Sequence, residues 1–255
     1  GDHELGSALF AAGFEVFDYN MLDILEERAS IRGMDLLALA GGFADGDVPE
    51  TAVGWVKMIQ DNPIAAEQFE EFRQRPDTLV FGVCNGFQVL TRMGWLPGYD
   101  IPLKTKPQLQ QNKSGRFQSR LVSVRFENCD NVFLEGMAGT IFPQVWIAHG
   151  EGYPYFPDPD VMDQVRQDRL VAMSFVDFDG NPTEVYPLNP NGSPLGITGL
   201  SSPNGRILGI MPHLERSFQL WQMPWLPKEW RNLEASPCLR VFQNAYAWLM
   251  NHEQT

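Results

Sequence analysis

Chemistry in this sequence centres on Gly82-Val83-Cys84-Asn85-Gly86. The spacing is that of a nucleophile elbow, G-x-nucleophile-x-G, with cysteine at its centre. A residue on a sharp strand-to-helix turn is crowded by backbone, so its flanking positions must lack side chains. Gly82 and Gly86 meet that need. The thiol then stands at a helix N-terminus, where the dipole and free N–H groups favour thiolate. The same five residues also describe a buried structural cysteine beside two turn glycines. What else converges on the thiol decides between the two.

A thiol nucleophile needs a base, and the base needs an orienting group. Of four histidines, His3 and His252 lie near the termini, which leaves His149 and His213. His213 follows the apolar run 206–211 and precedes Glu215 by two residues. In an extended segment, residues i and i+2 face the same side, so Glu215 can reach the His213 ring and fix its tautomer. His149, next to Gly150, also reads as an ordinary loop histidine. An acyl transfer further requires donors for the tetrahedral oxyanion. The Gly41-Gly42-Phe43 segment after an apolar run can aim a backbone N–H there, and the Asn85 N–H supplies the second. A Gly-Gly pair can equally do no more than turn the chain.

The elements that must position these residues follow from patterning. Apolar runs at 35–40, 78–83 and 206–211 predict buried strands, and 14–17 a short one. Alternation predicts a half-exposed strand over 120–126. Helices are predicted over 4–12, 20–32, 51–75 with a break at Asn62-Pro63, 87–93 and 236–249. The stretches 97–115, 153–160 and 187–203 read as loops. Strands alternating with helices predict a parallel sheet covered on both faces. The C-terminal ends of such strands gather at one edge, which brings Cys84 and His213 together.

Composition narrows the classes. The 255 residues allow one large domain or two small ones, with a sizeable core. With 19 basic and 32 acidic residues, the net charge of −13 argues against nucleic-acid binding and against docking on anionic membranes. Three scattered cysteines, without a CxxC pair, exclude a zinc ribbon or disulfide framework and fit a reducing compartment. No apolar run reaches the ~20 residues of a membrane span, and no signal peptide is visible, so a cytoplasmic protein is expected. There is no Gly-Lys dipeptide and no G-x-G-x-x-G, hence no phosphate loop. The histidines never pair at ligand spacing, so no metal site is expected. Asp45, Asp47, Asp177 and Asp179 read as solvated turn residues.

Taken together, GGF, GVCNGFQ, AHGEGY, NPTEVYPLNPNGSP and IMPHLER resemble the class I glutamine amidotransferases. Within them the chain is similar to the C-terminal glutaminase domains of large single-chain phosphoribosylformylglycinamidine synthases, from Gly1 to about Leu249. The resemblance implies an α/β, flavodoxin-like fold with a central, mostly parallel sheet flanked by helices. It implies that residues 1–255 are one glutaminase domain of a larger polypeptide. Cys84 would attack the side-chain amide of glutamine, with His213 as base and acid and Glu215 orienting it. The Gly42–Phe43 peptide and the Asn85 N–H would hold the oxyanion. Gln88, His149, Gly150 and Glu151 would hold the glutamine. No cofactor is implied for this domain. Ammonia would pass to a synthetase domain, where ATP and Mg²⁺ activate formylglycinamide ribonucleotide for purine biosynthesis.

Departures from the family pattern carry expectations of their own. Leu214 stands where proline is usual, which loosens the turn between His213 and Glu215. Phe87 replaces a small residue and narrows the pocket. Ala44-Asp45 replaces Ser-Tyr and alters the hydrogen bonding of its loop. Gln118 in Arg116-Phe117-Gln118 replaces glutamate and alters a contact with the synthetase. Relatives begin with an apolar strand before the helix that here starts near Asp2, so that strand is expected to be missing. Two other readings stay open: a catalytically silent scaffold, and a different amidotransferase-like cysteine hydrolase. In the latter group a histidine commonly follows the cysteine, where this chain has Asn85.

Overall fold

Apolar runs become strands here, and Gly, Pro and Asn end the helices between them. The computed structural model describes residues 1–42, 50–98, 101–102 and 104–252. Helix α1 (Asp2–Ala12) stops at Gly13, whose φ of 115° is a left-handed cap that glycine takes without strain. Helix α2 (Met21–Leu25) starts from an Asn20–Asp23 capping box. Strand β1 (Leu36–Leu39) is followed by α3 (Thr51–Asp61) and α4 (Pro63–Gln74). The predicted break is a cap: the Asn62 side chain accepts from the N–H groups of Ile64 and Ala65, with Pro63 in the first turn. Strand β2 (Leu79–Val83) leads through Cys84 into α5 (Asn85–Arg92).

Beyond α5 come β3 (Gln108–Gln110), β4 (Gln118–Phe126), β5 (Ile141–His149) and β6 (Tyr153–Tyr155). Helix α6 (Pro159–Gln167), β7 (Val171–Phe175), β8 (Ile197–Ser201), β9 (Ile207–Ile210) and α7 (Leu239–His252) complete the order. Seven strands form one sheet in the order β1-β2-β9-β8-β7-β4-β5, and β3 pairs with β6 apart from it. The expected α/β architecture, a central sheet flanked by helices, is present. Parallel pairing is confined to β1–β2 and β2–β9. From β9 outward through β8, β7, β4 and β5 the pairing is antiparallel. The sheet is therefore mixed, and the parallel half is the half that carries Cys84.

Several elements differ from the sequence expectation. Residues 14–17 are extended but not a strand, because no neighbour among the described residues gives them a ladder; Phe17 is exposed. The helix expected over 20–32 is only α2, and Glu27 at φ 57° shows the chain already out of helical geometry. The Asn- and Pro-rich stretch 187–203 hides β8, a strand buried at all five positions. Small β3 and β6 occupy stretches expected to be loops.

The ends of β2 and β9 meet at one edge, against the body of β5. The Cys84 N–H donates to the Ile210 carbonyl at 2.8 Å, so the end of β2 is locked to β9. The His213 N–H donates to the Trp146 carbonyl at 2.8 Å, which ties the segment after β9 to β5. Behind this edge the core is aromatic. The Phe81 ring on β2 meets Phe242 of α7 edge-on at 5.3 Å and Phe133 at 5.7 Å, spacings at which aromatic rings attract.

Candidate active site

Cys84 has φ 54° and ψ −108°, a conformation that a residue with a Cβ rarely adopts. Such backbone costs about 1–3 kcal/mol and persists only where its surroundings dictate it. Here β2 fixes the residue from one side through the Ile210 bond. The first hydrogen bond of α5, from the Gln88 N–H to the Cys84 carbonyl at 3.1 Å, fixes it from the other. The flanking glycines are required by contact. A Cβ on Gly82 would lie 2.6 Å from Leu90 Cδ1, and one on Gly86 2.0 Å from the Leu39 carbonyl oxygen. Asn85 opens α5, so its N–H lies outside the helix's own bonding.

Sequence reasoning passed over the tightest glycine of the pair before the oxyanion position. A Cβ on Gly41 would stand 2.8 Å from His213 Cε1 and 3.0 Å from Cys84 Cβ, so Gly41 lets thiol and imidazole approach. Its signal was present in the Gly-Gly pair. Gly42 is exposed at φ 117°. Phe43, and the Ala44-Asp45 substitution with it, lie outside the described residues.

His213 and Glu215 are brought together as expected, by a different local structure. Glu215 sits in a 3-10 turn, Leu214–Arg216, rather than in extended chain. The turn still brings Glu215 Oε1 to 2.5 Å from His213 Nδ1, and both residues are buried. Leu214 is fully buried, so core packing holds this turn without a proline. Burial opposes charge on His213, but the Glu215 carboxylate and the neighbouring thiol raise its pKa to about 9. Burial likewise opposes the Cys84 thiolate, yet the imidazoles of His149 and His213 beside it bring its pKa down to about 6. Thiolate and imidazolium therefore coexist as a coupled pair between those values. Below about 6 the thiol regains its proton, and above about 9 the imidazolium loses the proton a leaving group needs. Cys84-dependent turnover is expected to rise and fall through these apparent values. A rising limb near the ordinary thiol value of 9.0 instead would remove the ion pair.

Of the remaining predicted residues, His149 lies beside the thiol, and Gln88, Gly150 and Glu151 hold hydrogen bonds on the segment that follows it. Gln88 Nε2 donates to the Glu151 carbonyl at 2.7 Å. The Glu151 carboxylate accepts from the Glu50 N–H at 3.1 and 3.2 Å. The Gly150 carbonyl accepts from the Asn112 N–H at 2.8 Å. His149 is buried; its Nε2 lies 2.6 Å from Asn191 Oδ1. Asn112 clamps the same loop, donating to the His149 carbonyl at 2.9 Å and accepting from the Gly152 N–H at 3.0 Å. Asn112 and Asn191 were not singled out from sequence, although Asn191 lies in NPNGSP.

Two of the departures prove to lie elsewhere. Phe87 does not narrow the pocket. It is buried against Gly209 of β9, where a Cβ would lie 2.2 Å from Phe87 Cδ2. Gln118 is buried and donates to the Ser114 hydroxyl at 2.8 Å, so the exposed members of that trio are Arg116 and Phe117. Among the described residues, no group of three or more His, Cys, Asp and Glu could hold a metal ion. No described helix is long and apolar enough to cross a membrane.

This chain is similar to parts of much longer proteins. It is 44% identical over 254 residues to an Arabidopsis thaliana protein named "Probable phosphoribosylformylglycinamidine synthase, chloroplastic/mitochondrial", covering 98% of this chain and 18% of that protein. It is 41% identical over 261 residues to the Homo sapiens phosphoribosylformylglycinamidine synthase, covering 98% and 19%. The chain thus spans less than a fifth of these relatives. A solved chain of PurLQS from Thermotoga maritima superposes with a TM-score of 0.66 at 25% identity, covering 99% of this chain and 92% of that one. A family profile, the CobB/CobQ-like glutamine amidotransferase domain, matches residues 1–249. With nearly every residue inside that match, the chain belongs to the CobB/CobQ-like glutamine amidotransferase domain family.

Proposed function

We propose that this chain hydrolyses the side-chain amide of glutamine and delivers the ammonia to a synthetase region of a larger polypeptide. The observation that carries the reading is the Cys84 thiol. It is buried on a strained turn, faces two imidazoles and has its pKa lowered to about 6. The Cys84 thiolate attacks the amide carbon, and negative charge gathers on the amide oxygen. The N–H groups of Asn85 and of the Gly42–Phe43 peptide hold that oxygen. As the tetrahedral adduct collapses, the C–N bond breaks, and the His213 imidazolium gives its proton to the leaving nitrogen. Ammonia departs and a glutamyl thioester remains. His213, now neutral, takes a proton from water, whose oxygen attacks the thioester and expels the thiolate with glutamate. Glu215 keeps the proton-carrying Nδ1 fixed, so that Nε2 faces the thiol throughout.

Gln88, Gly150 and Glu151 hold the amino-acid end of the substrate by exchanging their present bonds for bonds to it. Similarity to phosphoribosylformylglycinamidine synthases supports a final acceptor in purine biosynthesis. The synthetase region would use ATP and Mg²⁺ to convert formylglycinamide ribonucleotide to formylglycinamidine ribonucleotide.

A glutamine-like chloroketone tests the assignment, read by peptide mass spectrometry. Burial pushes Cys129 up to about 11 and Cys238 up to about 12, so neither supplies thiolate at neutral pH. The label is expected on Cys84, with glutamine protecting it. Faster labelling of Cys129 or Cys238, or no protection, removes Cys84 as the nucleophile.

A further inference from the structure

Charge is unevenly placed along this chain. Six of its 19 basic residues lie between 101 and 126, and none of its 32 acidic residues does. Two of the six are taken up locally. The buried Lys106 ammonium donates to the Gly94 carbonyl at 2.7 Å, and Arg125 pairs with Glu127 at 2.9 Å. Lys113, Arg116 and Arg120 have no carboxylate partner among the described residues. Two of these three lie over aromatic rings. Lys113 Nζ is 4.9 Å from the centroid of the Tyr153 ring, and the Arg120 guanidinium 4.9 Å from that of Tyr186. Such stacking holds a cation in place without neutralising it.

These cations stand on or beside a braced turn. Residues 113–117 are all exposed, yet main-chain and side-chain bonds close the turn on itself. The Gly115 N–H donates to the Asn112 carbonyl at 2.8 Å, and the Ser114 hydroxyl accepts from Gln118 Nε2 at 2.8 Å. Asn112 Nδ2 donates to the Arg116 and His149 carbonyls at 3.0 and 2.9 Å. The Lys113 N–H donates to the Asn191 carbonyl at 3.0 Å. A cleft of about 330 Å³ runs from Lys113 and Ser114 to Tyr186, and so joins the turn to the Arg120 stack. Exposed Phe117, Val185 and Tyr186 add apolar area. Arginine with aromatic side chains is what interface centres favour, and groups already held lose little freedom on binding.

From this placement we propose that the turn 113–117, with Arg120 and Tyr186, is the face on which an acidic surface of the synthetase region docks. This inference rests on the glutaminase reading above, which puts such a region in the same polypeptide. Charge selects the partner, because cations without carboxylates of their own are complementary to carboxylates across an interface. Three cations are too few to follow a nucleic-acid backbone, and the net charge of −13 repels one. A second copy of the chain would also offer carboxylates. Pairing this patch with a different patch on a copy makes a head-to-tail contact, which closes only as a ring. A tethered region competes better, since its effective concentration is set by the linker. The face also adjoins the site: Asn112 and Asn191 each bond both to the turn and to His149. A docked surface would therefore sit one residue away from the loop expected to receive glutamine.

The test uses the full-length protein and a water-soluble carbodiimide, which joins a lysine Nζ to a touching carboxylate as an amide. Peptide mass spectrometry is expected to find Lys113 joined to aspartate or glutamate outside residues 1–255, less so as salt is raised. Lys113→Glu with Arg116→Glu puts like charges across the interface. The ratio of glutamate released to final product should then rise by about threefold or more, while product from added ammonia stays within about twofold of wild type. Arg116→Glu alone should give a smaller rise, and serves if the double variant is unstable. An unchanged ratio in both variants would overturn the inference. Lys113 links confined to residues 1–255 would overturn it too, and would point to a second copy. Equal losses with glutamine and with ammonia would make the turn merely structural. Wild-type protein that releases no glutamate removes the glutaminase reading, while a Lys113 link outside 1–255 would still establish the docking.

Discussion

Replacing Cys84 with alanine is expected to lower glutamine hydrolysis by about 10⁴-fold or more, read as glutamate released by the full-length protein with its other substrates present. The size follows from the loss of covalent catalysis. Without the thiolate there is no thioester, and a buried water would have to attack a poor electrophile unaided. No other thiol can substitute, because Cys129 and Cys238 are held near 11 and 12 by burial. The fold should survive, since alanine keeps the Cβ already tolerated at φ 54° and removes only sulfur. Equal glutamate release by wild type and variant would end the nucleophile assignment. Release by neither would favour a silent scaffold.

Gly86→Ala is the second large effect, and it falls on stability. Its Cβ would stand 2.0 Å from the Leu39 carbonyl oxygen and 2.7 Å from the Leu39 carbonyl carbon. These are main-chain atoms of β1, which cannot rotate away as a side chain would. Helix α5 cannot retreat either without losing the hydrogen bond it shares with Cys84. We expect a loss of about 3 kcal/mol or more, near the upper end for single substitutions that overpack a core. Gly33→Ala is the internal comparison: a Cβ there meets nothing within 4 Å, and its φ is ordinary. It should lie within about 0.5 kcal/mol of wild type. Urea midpoints of the two variants decide the matter, and a Gly86→Ala midpoint equal to that of Gly33→Ala would refute the packing account.

The part of the fold that holds the nucleophile was legible because its signals are local. The runs at 35–40, 78–83 and 206–211 are apolar from their second residue onward, the pattern of strands covered on both faces. They became β1, β2 and β9 with little change at either end. The antiparallel half was harder to read. Strand β8 carries Thr198 and Gly199 between turn-forming neighbours, so its full burial left no trace in the pattern. Residues 14–17 erred in the other direction: they have strand composition, but composition cannot supply a partner. At the site, Cys84, His213 and Glu215 could be read because each is constrained by its nearest neighbours in sequence. Asn191 could not. It lies in the NPNGSP motif, but its hydrogen bond is to His149, 42 residues away, and the motif does not name that partner.

The bonds among Gln88, Glu151 and Glu50 have one more consequence. Two of the polar groups expected to receive an amino acid already have partners, Gln88 in the Glu151 carbonyl and the Glu151 carboxylate in the Glu50 N–H. An arriving ligand therefore exchanges one set of bonds for another, and its measured affinity reports only the difference. The backbone at Glu50 and the carboxylate of Glu151, 101 residues apart in sequence, are thus joined directly.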